Sequence, residues 1–139
     1  MLELLLEHFE TERVDDFACE KCHVRGPCEV RKSVTRWPPV LVLHVKRFRQ
    51  DPTGRLRKIS EHLFFEEVLQ SAEFGIRYSL QAVAVHKGPF GTGHYYAFVR
   101  DSQDQWVKID DSAPPVRVPF AAVQRAQAYL LVFRLVPAA

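Results

Sequence analysis

The apolar positions change period along the chain, and each change marks a different element. Leu2, Leu5, Leu6 and Phe9 fall at the spacing of one helix face and predict an amphipathic opening helix. From Thr11 to Pro39 that period gives way to charges, cysteines, a Gly-Pro and a Pro-Pro, which predicts an irregular insert. PVLVLHVKRF (39–48) is rich in β-branched residues and mostly apolar, the composition of a buried central strand. DPTG (51–54) has turn chemistry, because Pro pre-sets one backbone angle and Gly accepts the left-handed one. It predicts a return strand near Leu56–Ile59.

The second half reads as strand after strand: YSLQAVAVH (78–86), HYYAFVR (94–100), QWVKID (105–110), PVRV (115–118) and AYLLVFRL (128–135). PFAAVQRAQ (119–127) interrupts them with a short helix, Pro119 taking its first position. Many strands with short, turn-rich connections give an α+β fold, an antiparallel sheet with short peripheral helices. No internal repeat or low-complexity tract is present.

Composition narrows the function classes. At 139 residues the chain is about one domain long. A hydrophobic content of 47% and a charged content of 26% argue against disorder. Net charge is +2, with both signs interspersed, so no nucleic-acid or acidic-lipid partner is implied. The longest apolar runs, VLVL and YLLVF, fall far short of the roughly 20 residues that span a bilayer. The N-terminus has acidic residues and no basic region ahead of its leucines, so it does not read as a signal peptide. Three cysteines, an odd number, do not suggest a secreted disulfide framework, and the expected location is cytoplasmic or nuclear.

Cys19 and Cys22 form a C-x2-C pair, a spacing that reaches one tetrahedral zinc from a tight turn. Structural zinc needs four ligands, and one pair is half of a site. Cys28 with His23 or His8 offers an irregular local completion; the alternative is that these cysteines bind nothing. None of the three begins a helix after a small-residue turn, so none has the setting of an activated nucleophile.

His94 stands between a loop with three glycines, KGPFGTG (87–93), and an aromatic strand. Glycines there let another chain approach the imidazole closely. A histidine at a strand start is more often structural, but WVKIDD follows after one exposed turn, and an antiparallel pairing brings Asp110 to the ring. A carboxylate on one imidazole nitrogen fixes the tautomer and leaves the other free to take a proton. His44 reads as a core residue bonded to backbone, while His86 and His62 have no acid in comparable placement. The basic stretches KRFRQ (46–50) and RLRK (55–58) read as solvated strand ends rather than a phosphate site.

Several stretches, in order, resemble the C-terminal half of the ubiquitin-specific protease catalytic domain. LLEHFETERVDDFACEKC resembles the segment leading into the second of the family's two C-x2-C pairs. WPPVLVLHVKRF resembles its proline-led strand, with Val45 where leucine is usual. YSLQAVAVHKGPFGTGHYYAFVR resembles the histidine box, WVKIDDSAPPVRV the acid-bearing strand and AYLLVFRL the closing strand.

The resemblance implies one partial, papain-like domain over 1–139, with a helix and cysteine-bearing fingers-like segment at 1–38 and the sheet at 39–139. It implies a thiol isopeptidase acting on ubiquitin or a related modifier. His94 would be the general base, Asp110 the residue that orients it and Asp111 a polar supporter. Tyr95, with Gly88, Gly91 and Gly93, would border the channel for the modifier's Gly-Gly tail; KGPFGTG and RQDPTGRLRK would be loops over it. Cys19 and Cys22 would be half of a structural zinc site whose partner pair is absent. The segment bearing the nucleophilic cysteine is also absent, so the chain is expected to start midway through the domain and to be inactive alone. A non-catalytic ubiquitin-binding module and an unrelated α+β binding domain are the other readings.

Overall fold

The structure, a computed structural model, describes residues 11–137. The opening helix expected over Leu2–Phe9 lies outside them. The chain divides into two compact units, Met1–Trp37 and Pro38–Ala139.

In the first unit the expected irregular insert is instead a hairpin. Strands β1 (Glu12–Ala18) and β2 (Arg25–Val30) pair antiparallel, with a bulge between Val14 and Phe17. The hydrophobic pattern hides it because no residue of either strand is fully buried and six of the seven in β1 are exposed. A bidentate pair from Arg25 to Asp16, at 2.6 and 2.8 Å, links the strands near the turn.

The second unit is built on β7 (Ile76–Lys87), whose burial alternates along its length. One edge pairs with β11 (Ala128–Leu135). The other is shared by β6 (Val68–Ser71) at its start and β8 (His94–Arg100) at its end. β9 (Trp106–Ile109) and β10 (Val116–Arg117) extend the sheet beyond β8, and β3 (Val40–His44) extends it beyond β11. All pairings are antiparallel.

Val83, Phe98 and Leu131 are opposite one another across three strands, and all are buried. Trp106 continues their face, and Phe120 of the helix α1 (Phe120–Gln124) stacks on it at 6.0 Å. Phe65 packs on Phe120 from the connecting segment, whose carbonyl accepts from Gln124 Nε2 at 2.9 Å. Each fully buried side chain of this kind contributes about 1.5–3 kcal/mol.

Two expectations are corrected here. β3 is not central: among the described residues it ends the pairing order, with Val40 and Val42 half exposed. His44 shares their face and is exposed, edge-on to Tyr129 at 4.8 Å, rather than buried in the core. The DPTG turn does return the chain, but it joins a short separate hairpin of β4 (Phe48–Gln50) and β5 (Leu56–Lys58). Asp51 builds that turn: its Oδ1 accepts from the Thr53 amide and hydroxyl and the Arg55 amide. Pro119 is the N-cap of α1 rather than its first residue, a shift that suits a ring with no N–H to donate.

Candidate active site

The site begins with a turn whose Asp101 lies seven residues after His94 and nine before Asp110. Asp101 Oδ1 accepts from the amides of Gln103 and Gln105, both at 2.9 Å, and Asp104 takes a left-handed backbone angle (φ 60°). This turn fixes the β8–β9 register, with Ala97 opposite Ile109 and Phe98 opposite Lys108. Alternation then puts His94, Tyr96, Lys108 and Asp110 on one face, with Asp110 diagonal to His94, within reach of an imidazole. β9 ends at Ile109, and Asp110 accepts a turn hydrogen bond from the Ala113 amide at 3.0 Å.

There His94 Nε2 lies 2.5 Å from Asp110 Oδ1. Asp110 Oδ2 accepts from Lys108 Nζ at 2.6 Å. These two contacts, that of Lys108 being the larger influence, hold the Asp110 carboxyl below its ordinary pKa. The sequence-expected pair is therefore together, and the ionised acid occupies Nε2. Asp111 is exposed in the following turn, its Oδ2 3.7 Å from His94 Nδ1. An imidazole oriented in this way at the open end of a sheet can take a proton on Nδ1 while the carboxylate steadies the cation.

The opposite face holds a residue that the sequence placed outside any site. His86 pairs with Tyr95, so both rings lie on the face away from His94, with centroids 4.7 Å apart. Tyr95 is half exposed, whereas His86 is buried among Tyr95, Phe48 and Tyr129. Burial, reinforced by the nearby Lys58 charge, pushes the His86 pKa down. Gly93 lies against its ring: a Cβ there would fall 1.7 Å from His86 Nε2.

Gly88 turns with φ +103°, and a Cβ on it would sit 3.2 Å from the Gly93 Cα. Gly91 is exposed in the same turn. Lys58 Nζ donates to the carbonyls of His86 (2.7 Å) and Gly88 (3.1 Å), tying β5 to the glycine loop. Buried Arg47 anchors the base of that hairpin through the carbonyls of Ala128, Ile59 and Glu61. The legible signals for these residues were a lysine two positions before the acid, on its own strand face, and a histidine two positions before the first loop glycine.

At the tip of the β1–β2 hairpin the Cys19 amide donates to the Val24 carbonyl and the His23 amide to the Cys19 carbonyl, with His23 left-handed (φ 57°). Hydrogen bonds from the Cys22 and Lys21 amides, then from the Cys22 side chain, lower the Cys19 pKa. An amide-stabilised thiol beside a second thiol suits two positions of a tetrahedral zinc site. Among the described residues no third His, Cys, Asp or Glu joins them as a metal group. Cys28 is elsewhere, opposite Val14 in the hairpin.

A strand-borne histidine and a carboxylate just past the neighbouring strand, at the end of an antiparallel sheet and beside a glycine-hinged loop, define a proton-transfer arrangement. The sequence model of ubiquitin carboxyl-terminal hydrolases matches residues 3–133. The chain belongs to that family. Ubiquitin carboxyl-terminal hydrolase 44-B of Xenopus laevis is 32% identical over 152 residues, covering 96% of this chain and 21% of the relative. Ubiquitin carboxyl-terminal hydrolase 10 of Saccharomyces cerevisiae is 30% identical over 128 residues, covering 87% and 16%.

Among solved structures, the SAGA DUB module of Ubp8, Sgf11, Sus1 and Sgf73 bound to monoubiquitin matches with a TM-score of 0.84 and 28% identity. It covers all of this chain and 33% of that one. The module bound to ubiquitin aldehyde matches with a TM-score of 0.81 and 26% identity. The chain thus spans about a fifth of the length of the first curated relatives. No helix among the described residues is long and apolar enough to cross a membrane.

Proposed function

We propose that this chain is the base-and-acid portion of a thiol-dependent deubiquitinase of cytoplasm or nucleus. The observation that carries the reading is the His94–Asp110 contact of 2.5 Å at Nε2, with Asp111 3.7 Å from Nδ1, beyond hydrogen-bond distance. Asp110 fixes the ring and steadies its cation. His94 takes the proton of a cysteine thiol, gives a proton to the departing lysine amine, and later activates water against the thioester. Gly88, Gly91, Gly93 and Tyr95 border the passage of a Gly-Gly tail of ubiquitin or a related modifier. Asp111 supports the ring from its other side. Cys19 and Cys22 hold half of a structural zinc site. All three cysteines fall in the first unit and none is the nucleophile in this reading.

Two measurements on the chain test this. Amide spectra with added ubiquitin should shift at Gly88–Gly93 and Tyr95, and ubiquitin lacking its terminal Gly-Gly should leave them still. Absence of a tail-dependent shift removes the modifier from the reading. Ubiquitin bearing a C-terminal electrophile should form no adduct with Cys19, Cys22 or Cys28. An adduct at any of them places the nucleophile within this chain, whereas tail binding without an adduct is also what a non-catalytic ubiquitin-binding module gives.

A further inference from the structure

The Asp110 carboxylate has two oxygens, and different partners hold them. Oδ1 faces His94 Nε2, and Oδ2 faces Lys108 Nζ at 2.6 Å. The torsion that turns an aspartate carboxylate is broad and soft, so one hydrogen bond leaves its plane free to swing. Two partners on separate oxygens, one of them an ammonium, fix the plane, since any rotation breaks one of the contacts. The ammonium is itself held, lying 4.6 Å from the Tyr96 ring centroid. Lys108, Tyr96, His94 and Asp110 share one face of β8 and β9, so the strand register places the clamp.

We propose that Lys108 is a positioning residue for the His94–Asp110 pair. It orients the carboxylate so that Oδ1 meets Nε2 and Nδ1 remains the nitrogen available to the thiol. The inference rests on the reading of His94 as the base. A part-exposed ion pair adds little stability in water, so orientation rather than fold strength is what this contact supplies. The charged and titratable groups facing Asp110 are Lys108 and His94, with Asp111 on the far ring nitrogen and Tyr96 beneath the ammonium. The Lys108 pKa is raised, chiefly by its hydrogen bond to Asp110, so the clamp stays charged throughout the range of histidine chemistry.

Nuclear magnetic resonance of the chain tests this without any turnover. In the parent the His94 Nε2 proton, held against Asp110, should give a downfield signal protected from solvent. Lys108→Met should lose that signal and move the Asp110 side-chain carbon titration upward in pH. Lys108→Arg should restore both, with the Trp106 indole signal unchanged in either variant as the check on folding. Where Lys108→Met disturbs Trp106, Lys108→Gln is the variant read. Persistence of the protected signal without Lys108, or an Asp110 titration that does not move, overturns the proposal. Neither result depends on ubiquitin, so failure of tail binding and failure of the clamp are separate outcomes.

Discussion

His86 and His94 stand near one end of the same pair of strands, and their surroundings decide different fates for the same side chain. His94 is exposed and meets two carboxylates. His86 is 4% exposed and packed among aromatic rings, and its Nδ1 has no hydrogen-bond partner. The cause is strand parity. Lys87 pairs with His94, so His86, one position earlier, points through the sheet to pair with Tyr95. One ring is open to solvent chemistry; the other serves as a stop beneath Gly93.

The largest break in that contrast should come from Gly93→Ala. Its methyl would meet the buried imidazole, and such overpacking costs about 1–3 kcal/mol. Urea unfolding followed by tryptophan fluorescence should show the fall; an unchanged midpoint would mean that His86 can move aside freely.

A smaller effect is expected from pH. The folded pKa of His86 is lowered, so the unfolded chain binds the proton more readily. Stability from this group is present above the ordinary histidine pKa of about 6.5 and is lost as pH falls from there toward the lowered value. His86→Leu should flatten the decline in urea midpoint between about pH 7 and pH 5. An unaltered slope would show that the ring is not buried as a neutral group. Asp110, whose folded pKa is also lowered, acts in a separate window: its contribution stands above about pH 3.9 and disappears only below it.

The smallest effect sharpens the comparison. His94→Ala should leave the neutral-pH urea midpoint where it is, and Asp110→Asn should lower it only slightly, because neither side chain fills the core and the Asp110 pairs are part-exposed. A clear loss would make the pair a structural support as well as a chemical one.

Much of this was visible in the sequence where side chains face a core. HYYAFVR and AYLLVFRL form β8 and β11 with the expected limits, because each is an apolar run closed by turn residues. The acid was legible for a related reason: one short turn after β8 leaves few antiparallel registers, and Asp110 is near His94 in them. What escaped was set by pairing between distant segments. β6, only four residues long, was not expected, and it is placed by its partner β7 rather than by its own pattern. PVLVLHVKRF reads as central from composition alone, yet its position at the end of the pairing order depends on β11. The same holds for His86 and Lys58, whose neighbours lie on strands that local periodicity cannot align.

The turn at 101–105 carries a consequence beyond its own geometry. Surface loops usually accept a residue gained or lost, because little depends on their length. Here the count of residues between Arg100 and Trp106 determines which side of the sheet Asp110 occupies. A single insertion carried into the pairing would slide β9 by one position and carry the acid from the His94 face to the Tyr95 face. The composition would scarcely change, yet the imidazole would be left without its carboxylate. For this loop, odd and even changes in length are different kinds of mutation.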